Sequence, residues 1–294
     1  MPVLFAPDFR PLPLLGNPHV QTVLGAFLPG TQCPRPQRRH VIHLADGDAL
    51  LLHENLPRAW KPGEPVALLL HGLTGCHASP HIRRLAGRLF AAGVRVFRMD
   101  MRGAGHGLRL ARGSYHSGRS EDVRTALAEL ARLVPGSPLW LVGVSLGGNV
   151  ALKLAGELPF HPVPGLVRVA AIAPPIDLVR CAELILLPRN RVYERRFTRD
   201  LLRDAVLRRR HFPDLPPLRF PEPLNVVLFD EHYTAPRNGF AGAYDYYRRA
   251  SSFPLIAKIP IPTLILTARD DPFIAVEPFE ALRLPGHEIG RAHV

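Results

Sequence analysis

The fold is decided by residues 142–148, Val-Gly-Val-Ser-Leu-Gly-Gly, written VGVSLGG in the printed sequence. They contain the pattern Gly-x-Ser-x-Gly centred on Ser145, between an apolar run at 138–144 and an amphipathic run at 146–158. A serine on a tight strand-to-helix turn tolerates little bulk on either side, and flanking glycines meet that need while the hydroxyl projects above the sheet. The pattern also occurs by chance, so its place between a strand and a helix carries the argument. We therefore predict that Ser145 is a nucleophile; the alternative is a turn whose small residues serve packing alone.

Outward from this turn, the chain alternates between short apolar runs and amphipathic runs. Strands are predicted at 65–72, 94–100, 138–144, 165–175 and 262–273, and helices at 81–93, 120–134 and 146–158. This alternation predicts an α/β fold with a mostly parallel sheet and helices on both of its faces. The length of 294 residues suits one such domain, 1–294. Arg-rich helical stretches at about 178–255 interrupt the alternation, and we predict that they form a lid inserted between two strands.

A serine that attacks a carbonyl group also needs hydrogen-bond donors for the oxyanion that forms. The stretch LLLHGLTG, residues 68–75, ends a predicted strand upstream of the serine turn. The predicted donors are the backbone N–H groups of Leu73 and of Leu146, the residue after the nucleophile. His71 is expected to hold this loop by hydrogen bonding rather than to act in catalysis.

The third predicted component is a carboxylate after a later strand. In LTARDDPF, residues 266–273, Asp270 and Asp271 follow the strand directly, in the order serine before acid. We choose Asp271, because the usual spacing is a small residue, two more residues, and then the acid before proline. Its role would be to orient a histidine and to stabilise the cationic form of that histidine.

The net charge and the number of cysteines indicate which binding partners and which cellular compartment to expect. The formal net charge is +12, but only three of the 37 basic residues are lysine, and the arginines are mostly scattered. A GC-rich coding sequence accounts for this bias, so no nucleic-acid partner is expected. The three widely spaced cysteines indicate neither a disulfide framework nor a zinc motif, which fits a reducing compartment. The start lacks the features of a signal peptide and no run approaches about 20 apolar residues, so we predict a cytoplasmic protein without an integral membrane segment.

Other cofactor motifs are not found. The stretch RGAGHG, residues 102–107, does not have the register of a dinucleotide-binding loop. Several histidines lie near the predicted site, but none forms, together with a carboxylate, the i, i+4 pair of a zinc-protease helix: His71, His77, His81, His106 and His116. Single hydrogen-bonded histidines are the simpler interpretation, and no metal or organic cofactor is expected.

Taken together, these stretches resemble the YheT-like branch of the α/β-hydrolases, a group of carboxylesterases. The resemblance runs from about residue 10 to residue 285. It is carried by GNPHVQT (16–22), HGLTGCHASPHIRRLA (71–86), RMDMRGAGHG (98–107), YHSGRSEDV (115–123), GVSLGGNV (143–150), YDYYRRASS (244–252) and ARDDPF (268–273). It implies the α/β-hydrolase fold and a serine hydrolase that cleaves carboxylic esters.

The chain departs from that family at its end. The family has a His-Gly-Gly-His-x-Gly-Phe segment, whose second histidine completes the triad, followed by a final helix; this chain contains no such segment. We therefore expect the triad histidine to be absent, with neither His287 nor His293 in its place, and the final strand and helix to be missing. Residues 288–294, EIGRAHV, match the translation of GAG ATC GGA AGA GCA CAC GTC, which resembles a sequencing adapter. A non-native tail is predicted there.

The predicted function is a serine hydrolase that acts on short- to medium-chain or monoacylglycerol-like esters through an acyl-enzyme on Ser145. Small esters or lipids are its expected partners, and the preference for an apolar chain rests on the resemblance and on the composition of the lid. Two alternatives stay open. One is a non-catalytic relative that binds a hydrophobic ligand, and the other is an acyltransferase that uses the same nucleophile.

Overall fold

Eight strands form one sheet in the part of the chain that the computed structural model describes, residues 16–27, 30, 32–282 and 289–293. The strands are β1 (Arg38–His43), β2 (Ala49–Asn55), β3 (Val66–Leu70), β4 (Arg95–Asp100), β5 (Leu139–Val144), β6 (Leu166–Ile172), β7 (Thr263–Thr267) and β8 (Ile289–His293). The helices are α1 (Pro18–Phe27), α2 (Pro80–Ala91), α3 (Ser120–Leu133), α4 (Leu146–Glu157), α5 (Leu178–Ile185), α6 (Arg191–His211), α7 (Val226–Phe229), α8 (Ala235–Arg237), α9 (Ala243–Ala250) and α10 (Glu277–Ala281). None of these helices is both long enough and apolar enough to cross a membrane.

The order of the strands in the sheet is β1-β2-β4-β3-β5-β6-β7-β8. Strands β3 to β8 pair in parallel, whereas β2 is antiparallel to both of its neighbours, β1 and β4. The predicted α/β fold with a mostly parallel sheet is confirmed. The five predicted strands correspond to β3 to β7, and the antiparallel pair β1 and β2 was not predicted.

The centre of the sheet is buried on both faces. All five residues of β3 are buried, and their side chains alternate between two apolar cores. Leu68 and Leu70 pack in the larger core with residues of α3 and α4, while Leu69 packs on the other face with Ile82 of α2. Because neighbouring residues of a strand point to opposite faces, a continuous apolar run is what a doubly covered strand requires.

One part of the fold prediction is corrected at the edge of the sheet. We expected the strand after residue 287 to be missing, but Ile289–His293 forms β8 and pairs in parallel with β7, from Thr263↔Ile289 to Thr267↔His293. The physical reason is that an open edge presents unpaired N–H and C=O groups, which any extended segment can satisfy through its own backbone. Such pairing does not depend on side-chain identity, so the predictions of a non-native tail and of a missing final helix stay predictions.

The segment predicted as a lid, residues 178–255, is called the lid segment below. It lies in the chain between β6 and β7 and carries α5 to α9. Its helices enclose two small apolar clusters of their own, one built around Tyr246 and Tyr247 and the other around Phe229 and Tyr233. The lid segment therefore has its own packing in addition to its contacts with the sheet domain.

Candidate active site

Ser145 occupies a strained turn between β5 and α4. Its backbone angles are φ +54° and ψ −124°, outside the region that non-glycine residues normally adopt. The turn is held from both sides, because the N–H of Ser145 donates to the carbonyl of Ile172 on β6 and the carbonyl of Ser145 accepts the N–H of Gly148. Strain that the surrounding hydrogen bonds maintain is typical of functional positions, and it is the geometry that the sequence predicted.

Two glycines at the turn, Gly143 and Gly147, are required by close contacts, and a third, Gly72, lies in a tight one. A Cβ on Gly143 would lie 2.1 Å from the carbonyl oxygen of Gly147, and a Cβ on Gly147 would lie 2.5 Å from the carbonyl oxygen of His71. A Cβ on Gly72 would lie 3.1 Å from the Cβ of Ser145. These contacts bring the end of β3, the end of β5 and the start of α4 together, so the Gly-x-Ser-x-Gly pattern has a steric cause here.

The two amides predicted to hold an oxyanion lie in the wall of the same pocket as Ser145. Leu73 and Leu146 both line this pocket. Within the part of the chain that the structure describes, neither backbone N–H donates to a protein group. Leu146 is the first residue of α4, where a backbone N–H has no partner inside the helix and the helix dipole favours negative charge. The arrangement thus leaves two donors available beside the serine.

His71 holds the loop after β3 in the way the sequence predicted. It is fully buried, its Nδ1 lies 2.8 Å from the carbonyl oxygen of Gly72, and its Nε2 accepts the N–H of Met101 at 3.2 Å. Burial lowers the pKa of His71, so the ring is neutral. Both ring nitrogens are engaged with the backbone, which excludes this histidine as the base for Ser145.

The predicted acid lies in the loop after β7. One carboxylate oxygen of Asp271 accepts the N–H groups of Phe273 and Ile274 at 3.0 and 2.9 Å. Burial raises the pKa of Asp271, although these two hydrogen bonds act in the opposite direction. Asp270 is exposed. Asp271 does not itself line the pocket, but Phe273 and Ile274 do, so the carboxylate lies just behind the pocket wall.

The rest of the pocket is contributed mainly by the lid segment and is mostly apolar. Its apolar lining comes from α5, α6, α7 and the acid loop: Leu178, Ala182, Ile185, Phe197, Leu201, Val226, Phe229, Phe273 and Ile274. Asn190, at the start of α6, is fully buried, and its side-chain amide donates to the carbonyls of Pro272 and Leu184 at 2.7 and 2.8 Å. This amide fastens the lid segment to the acid loop.

Polar residues of the lid segment also line the pocket, and the sequence did not reveal them. Asp230 begins a π-helical turn, Asp230–Thr234, and its carboxylate accepts the hydroxyl hydrogen of Tyr247 at 2.7 Å. Burial raises the pKa of Asp230 to about 6. Arg208 is buried and donates to the carbonyl of Gly103 and to the hydroxyl of Tyr233. In a segment rich in arginine and aspartate, nothing in the sequence marks these two residues as different from their exposed neighbours.

One histidine in the described part of the chain lines the pocket with Ser145, and it is poorly suited to be a base. This residue, His116, is buried, and its Nδ1 accepts the N–H of Gly118 at 3.1 Å. Burial lowers its pKa to about 3. His287 lies outside the described residues, and so does the side chain of His293, whose backbone belongs to β8. The prediction that neither of these two serves as the base stays a prediction.

Comparisons with known proteins agree with this architecture. A family model described as the alpha/beta hydrolase fold matches residues 65–286. The protein named "Putative esterase YheT" from Escherichia coli (strain K12) is 34% identical over 280 residues, which cover 91% of this chain and 78% of that protein. The phospholipase ABHD3 of Mus musculus is 28% identical over 86% of this chain, and the match spans 62% of its own length.

A solved structure supports the fold independently of sequence. Est1E from Butyrivibrio proteoclasticus, solved with ferulic acid bound, superposes with a TM-score of 0.56. The match covers 87% of this chain and 88% of Est1E at 17% sequence identity. At this level of identity the likeness concerns the fold alone.

Proposed function

The chain belongs to the α/β-hydrolase family, within its YheT-like branch, and from this premise we propose that it is a serine esterase that forms an acyl-enzyme on Ser145. The observation that carries the proposal is the strained serine turn between β5 and α4, with the free amides of Leu73 and Leu146 in the wall of the same pocket. The names of the relatives, an esterase and a phospholipase, agree on hydrolysis of an ester bond.

In the proposed reaction the hydroxyl oxygen of Ser145 bonds to the carbonyl carbon of the ester as its proton passes to a base. The amides of Leu73 and Leu146 donate hydrogen bonds to the negatively charged oxygen of the tetrahedral intermediate. The bond to the alcohol oxygen then breaks, the base returns the proton to the leaving alcohol, and an acyl-Ser145 ester remains. Water attacks this ester by the same sequence of proton transfers and releases the acid.

Asp271 is proposed to orient the histidine that acts as the base. Its second carboxylate oxygen is available for this role, since the first accepts the amides of the acid loop. A half-buried carboxylate next to a histidine fixes the tautomer of the ring and stabilises its cation. The histidine itself is not assigned to a described residue of this chain.

The pocket lining supports an apolar acyl chain as the substrate group. Phe197 and Leu201 of α6 and Phe229 of α7 face the space next to Ser145, so burial of an alkyl chain there is favourable at about 25 cal/mol per Å². The substrates proposed are short- to medium-chain or monoacylglycerol-like esters, and residues 178–255 are proposed to act as the lid over them. A covering made of several small helices is a common way to exclude water from such a site.

The test is covalent labelling together with ester hydrolysis. The purified chain is treated with a fluorophosphonate probe, and hydrolysis of p-nitrophenyl butyrate and octanoate is followed with and without added imidazole. Imidazole supplies a base whatever the source of the triad histidine. We expect the probe on the peptide that contains Ser145, an increase of the rate with imidazole, and loss of both in Ser145→Ala. A loss of about 10⁴-fold is typical when a nucleophile is removed from a complete triad.

Ser137→Ala serves as the matched control, because Ser137 lies next to the opposite end of β5 and is buried outside the pocket. It should label and react like the unchanged chain. Labelling that persists in Ser145→Ala would overturn the assignment of the nucleophile. Binding of fatty acids without labelling, with or without imidazole, would favour a non-catalytic relative, and transfer of the acyl group to an added alcohol in preference to water would favour an acyltransferase.

A further inference from the structure

The side of α6 that faces the pocket changes from apolar to charged along the helix. Four of its residues line the pocket, at positions i, i+4, i+7 and i+11: Phe197, Leu201, Asp204 and Arg208. This spacing places them on one face of the helix, and they extend over about 16 Å of its axis. The pocket beside Ser145 therefore has an apolar end, at Phe197 and Leu201, and a polar end, at Asp204 and Arg208.

Three charged groups converge at the polar end, around the side chain of Tyr115. Asp230, at the start of the π-helical turn, lines the pocket together with Asp204 and Arg208. Burial raises the pKa of Tyr115, and the charges of all three groups also act on it. The hydroxyl oxygen of Tyr115 accepts the N–H of Thr74 at 2.7 Å. The polar end thus adjoins the loop between β3 and α2, which carries one of the two predicted oxyanion donors.

The two carboxylates of the polar end keep hydrogen-bonding capacity for a ligand. Asp204 is bound through Oδ1 alone, which accepts two N–H groups of the exposed Arg203 at 3.3 and 3.4 Å, and its Oδ2 has no partner among the described residues. Asp230 accepts the hydroxyl hydrogen of Tyr247 through Oδ2. Since a carboxylate has about four acceptor positions, both groups can accept further hydrogen bonds.

A buried donor without a partner lies in the same pocket wall. His116 is 8% exposed, and its Nδ1 accepts the N–H of Gly118, so the proton of the neutral ring is on Nε2. This Nε2–H has no hydrogen-bond partner in the described part of the chain. The ring of His116 lies edge-on to that of Tyr246, with centroids 5.7 Å apart, and the next residue, Tyr247, holds Asp230. A buried donor of this kind indicates a ligand that completes it.

Arg208 is a buried cation at the polar end, and no carboxylate of the described residues forms an ion pair with it. Its terminal nitrogens donate to the carbonyl of Gly103 and to the hydroxyl of Tyr233, and its Nε has no partner. Asp204 lies one helical turn earlier, but its ion pair is with Arg203. Because a buried charge is costly unless it is compensated, Arg208 makes the polar end unfavourable for a cationic ligand.

This mixture of groups favours a part of the ligand that is polar and uncharged. An anionic group would lie against the carboxylates of Asp204 and Asp230, and a cationic group would lie against Arg208. A hydroxyl group both donates and accepts hydrogen bonds. It can therefore donate to the carboxylates and accept the Nε2–H of His116 without meeting a like charge.

We propose that Asp204, Asp230 and His116 bind the free hydroxyl groups of the alcohol part of an ester substrate. The acyl chain would lie at the apolar end, along Phe197 and Leu201. The inference rests on the proposed esterase function and narrows its substrates to esters of alcohols that keep free hydroxyl groups, such as monoacylglycerols. No bond is made or broken at the polar end, whose residues bind the substrate and select it.

The test is calorimetric titration of the chain with compounds that share an octyl tail and contain no carboxylic ester. The compound 1-O-octylglycerol carries free hydroxyl groups, and octyl methyl ether carries none. Octyltrimethylammonium and octyl phosphate place a cation or an anion at the same end of the tail. We expect 1-O-octylglycerol to bind about tenfold or more tightly than each of the other three.

Asp204→Leu keeps a side chain of similar size but removes the acceptor oxygens. It should reduce the preference for 1-O-octylglycerol over octyl methyl ether about tenfold. Asp200→Leu is the matched control, because Asp200 lies one turn earlier on α6, outside the pocket, and pairs with exposed arginines of the same helix. Its preference should equal that of the unchanged chain.

His116→Phe gives a second test, since it keeps a ring against Tyr246 but removes the Nε2–H donor. At unchanged circular dichroism it should reduce the same preference about fivefold. Equal binding of 1-O-octylglycerol and octyl methyl ether, tightest binding of either charged compound, or equal effects of Asp204→Leu and Asp200→Leu would overturn the proposal. Labelling of Ser145 is a separate readout: labelling without the hydroxyl preference refutes this subsite alone, and the preference without labelling refutes the esterase alone.

Discussion

The serine turn and the lid segment above it are held in place by different kinds of contact. At the turn, backbone atoms of residues close in the chain touch each other, as between Gly143 and the carbonyl of Gly147. In the lid segment, side chains reach across long stretches of sequence: the guanidinium of Arg208 to the carbonyl of Gly103, and the hydroxyl of Tyr246 to Ser117. The serine turn is thus specified mainly by close backbone contacts at its glycines, whereas the shape of the pocket depends on side-chain pairs that are distant in the sequence.

This difference determines which features can be predicted from the sequence and how strongly substitutions should act. A steric requirement between neighbouring backbone atoms leaves a mark in the sequence, because only glycine satisfies it. A hydrogen bond between distant side chains leaves no local mark, since either residue would be ordinary on an exposed helix. Substitutions should accordingly have abrupt effects at the turn and graded effects in the lid segment.

The largest effect is expected at the turn, from Gly143→Ala. The new methyl group would lie 2.1 Å from the carbonyl oxygen of Gly147, and a backbone oxygen at the start of α4 cannot move aside as a flexible side chain can. We expect a loss of about 4 kcal/mol or more in the free energy of unfolding, or no soluble protein at all. This loss is measured by urea unfolding, with circular dichroism as the signal.

Gly136→Ala is the matched substitution for this experiment. Gly136 has φ +77° but no atom within 4 Å of its added Cβ, so it costs only the backbone strain of about 1–2 kcal/mol. Equal losses in the free energy of unfolding for Gly143→Ala and Gly136→Ala would mean that the close contact with Gly147 does not determine the conformation of the serine turn. The proposed difference between the serine turn and the lid segment would then be wrong.

A smaller effect with a defined pH dependence is expected from Asp230→Asn in the lid segment. Burial raises the pKa of Asp230 from 3.8 to about 6, so the folded protein holds a proton that the unfolded chain releases between these values. The stability of the unchanged protein therefore falls as the pH rises from about 4 to about 6. Asparagine avoids this penalty and can still accept the hydroxyl of Tyr247. The variant should gain stability relative to the unchanged protein over that range, by up to about 3 kcal/mol.

Thermal midpoints measured from pH 4 to pH 7 check this prediction. Asp245→Asn is the control, because Asp245 is on the surface of α9 and its pKa is lowered by the N–H of Ala241 and by Arg249. The Asp245→Asn variant should show no increase in thermal midpoint over the unchanged chain between pH 4 and pH 6. A difference in thermal midpoint between Asp230→Asn and the unchanged chain that does not vary with pH would contradict the assignment of Asp230 as a carboxyl with a raised pKa.

The smallest effect is expected from Asn225→Ala at the start of α7. The side-chain oxygen of Asn225 accepts the N–H of Leu228 at 2.9 Å and so caps this helix. Its loss should cost about 1 kcal/mol, confined to the lid segment, which amide hydrogen exchange of α7 and α8 resolves. Asn225→Asp keeps the capping oxygen and should restore protection. Uniform loss of protection in β5 and β6 as well would show that lid segment and sheet open as one unit.

The same contrast explains what the sequence predicted and what it did not. Strands β3 and β5 were predicted because burial on both faces demands a continuous apolar run. Strand β2 was missed because it ends in His53, Glu54 and Asn55, polar residues that are nonetheless fully buried and paired with residues of other elements. A polar residue is compatible with burial only through its partners, and those partners lie far away in the chain.

The residues of the candidate site also fall into two groups, those that the sequence predicted and those that it did not. Ser145, Leu73 and Leu146 were predicted from the sequence because each lies one or two residues from a glycine with close contacts at the turn. Asp230 and Arg208 could not, since their positions in the pocket wall result from how α6, the π-helical turn and α9 pack against one another. The role of Asp271 as the triad acid stays a prediction.

The amide of Asn190 gives the lid segment a direct hold on the loop that bears Asp271, through the carbonyl of Pro272. The segment cannot move away from that side of the pocket without breaking this hydrogen bond, a cost of about 1 kcal/mol, although the bond from the same amide to the carbonyl of Leu184 would be kept. A bulky ester that forced its way in there would also disturb the carboxylate behind the wall. A displacement of the lid segment at Asn190 would therefore be transmitted directly to the loop that bears Asp271.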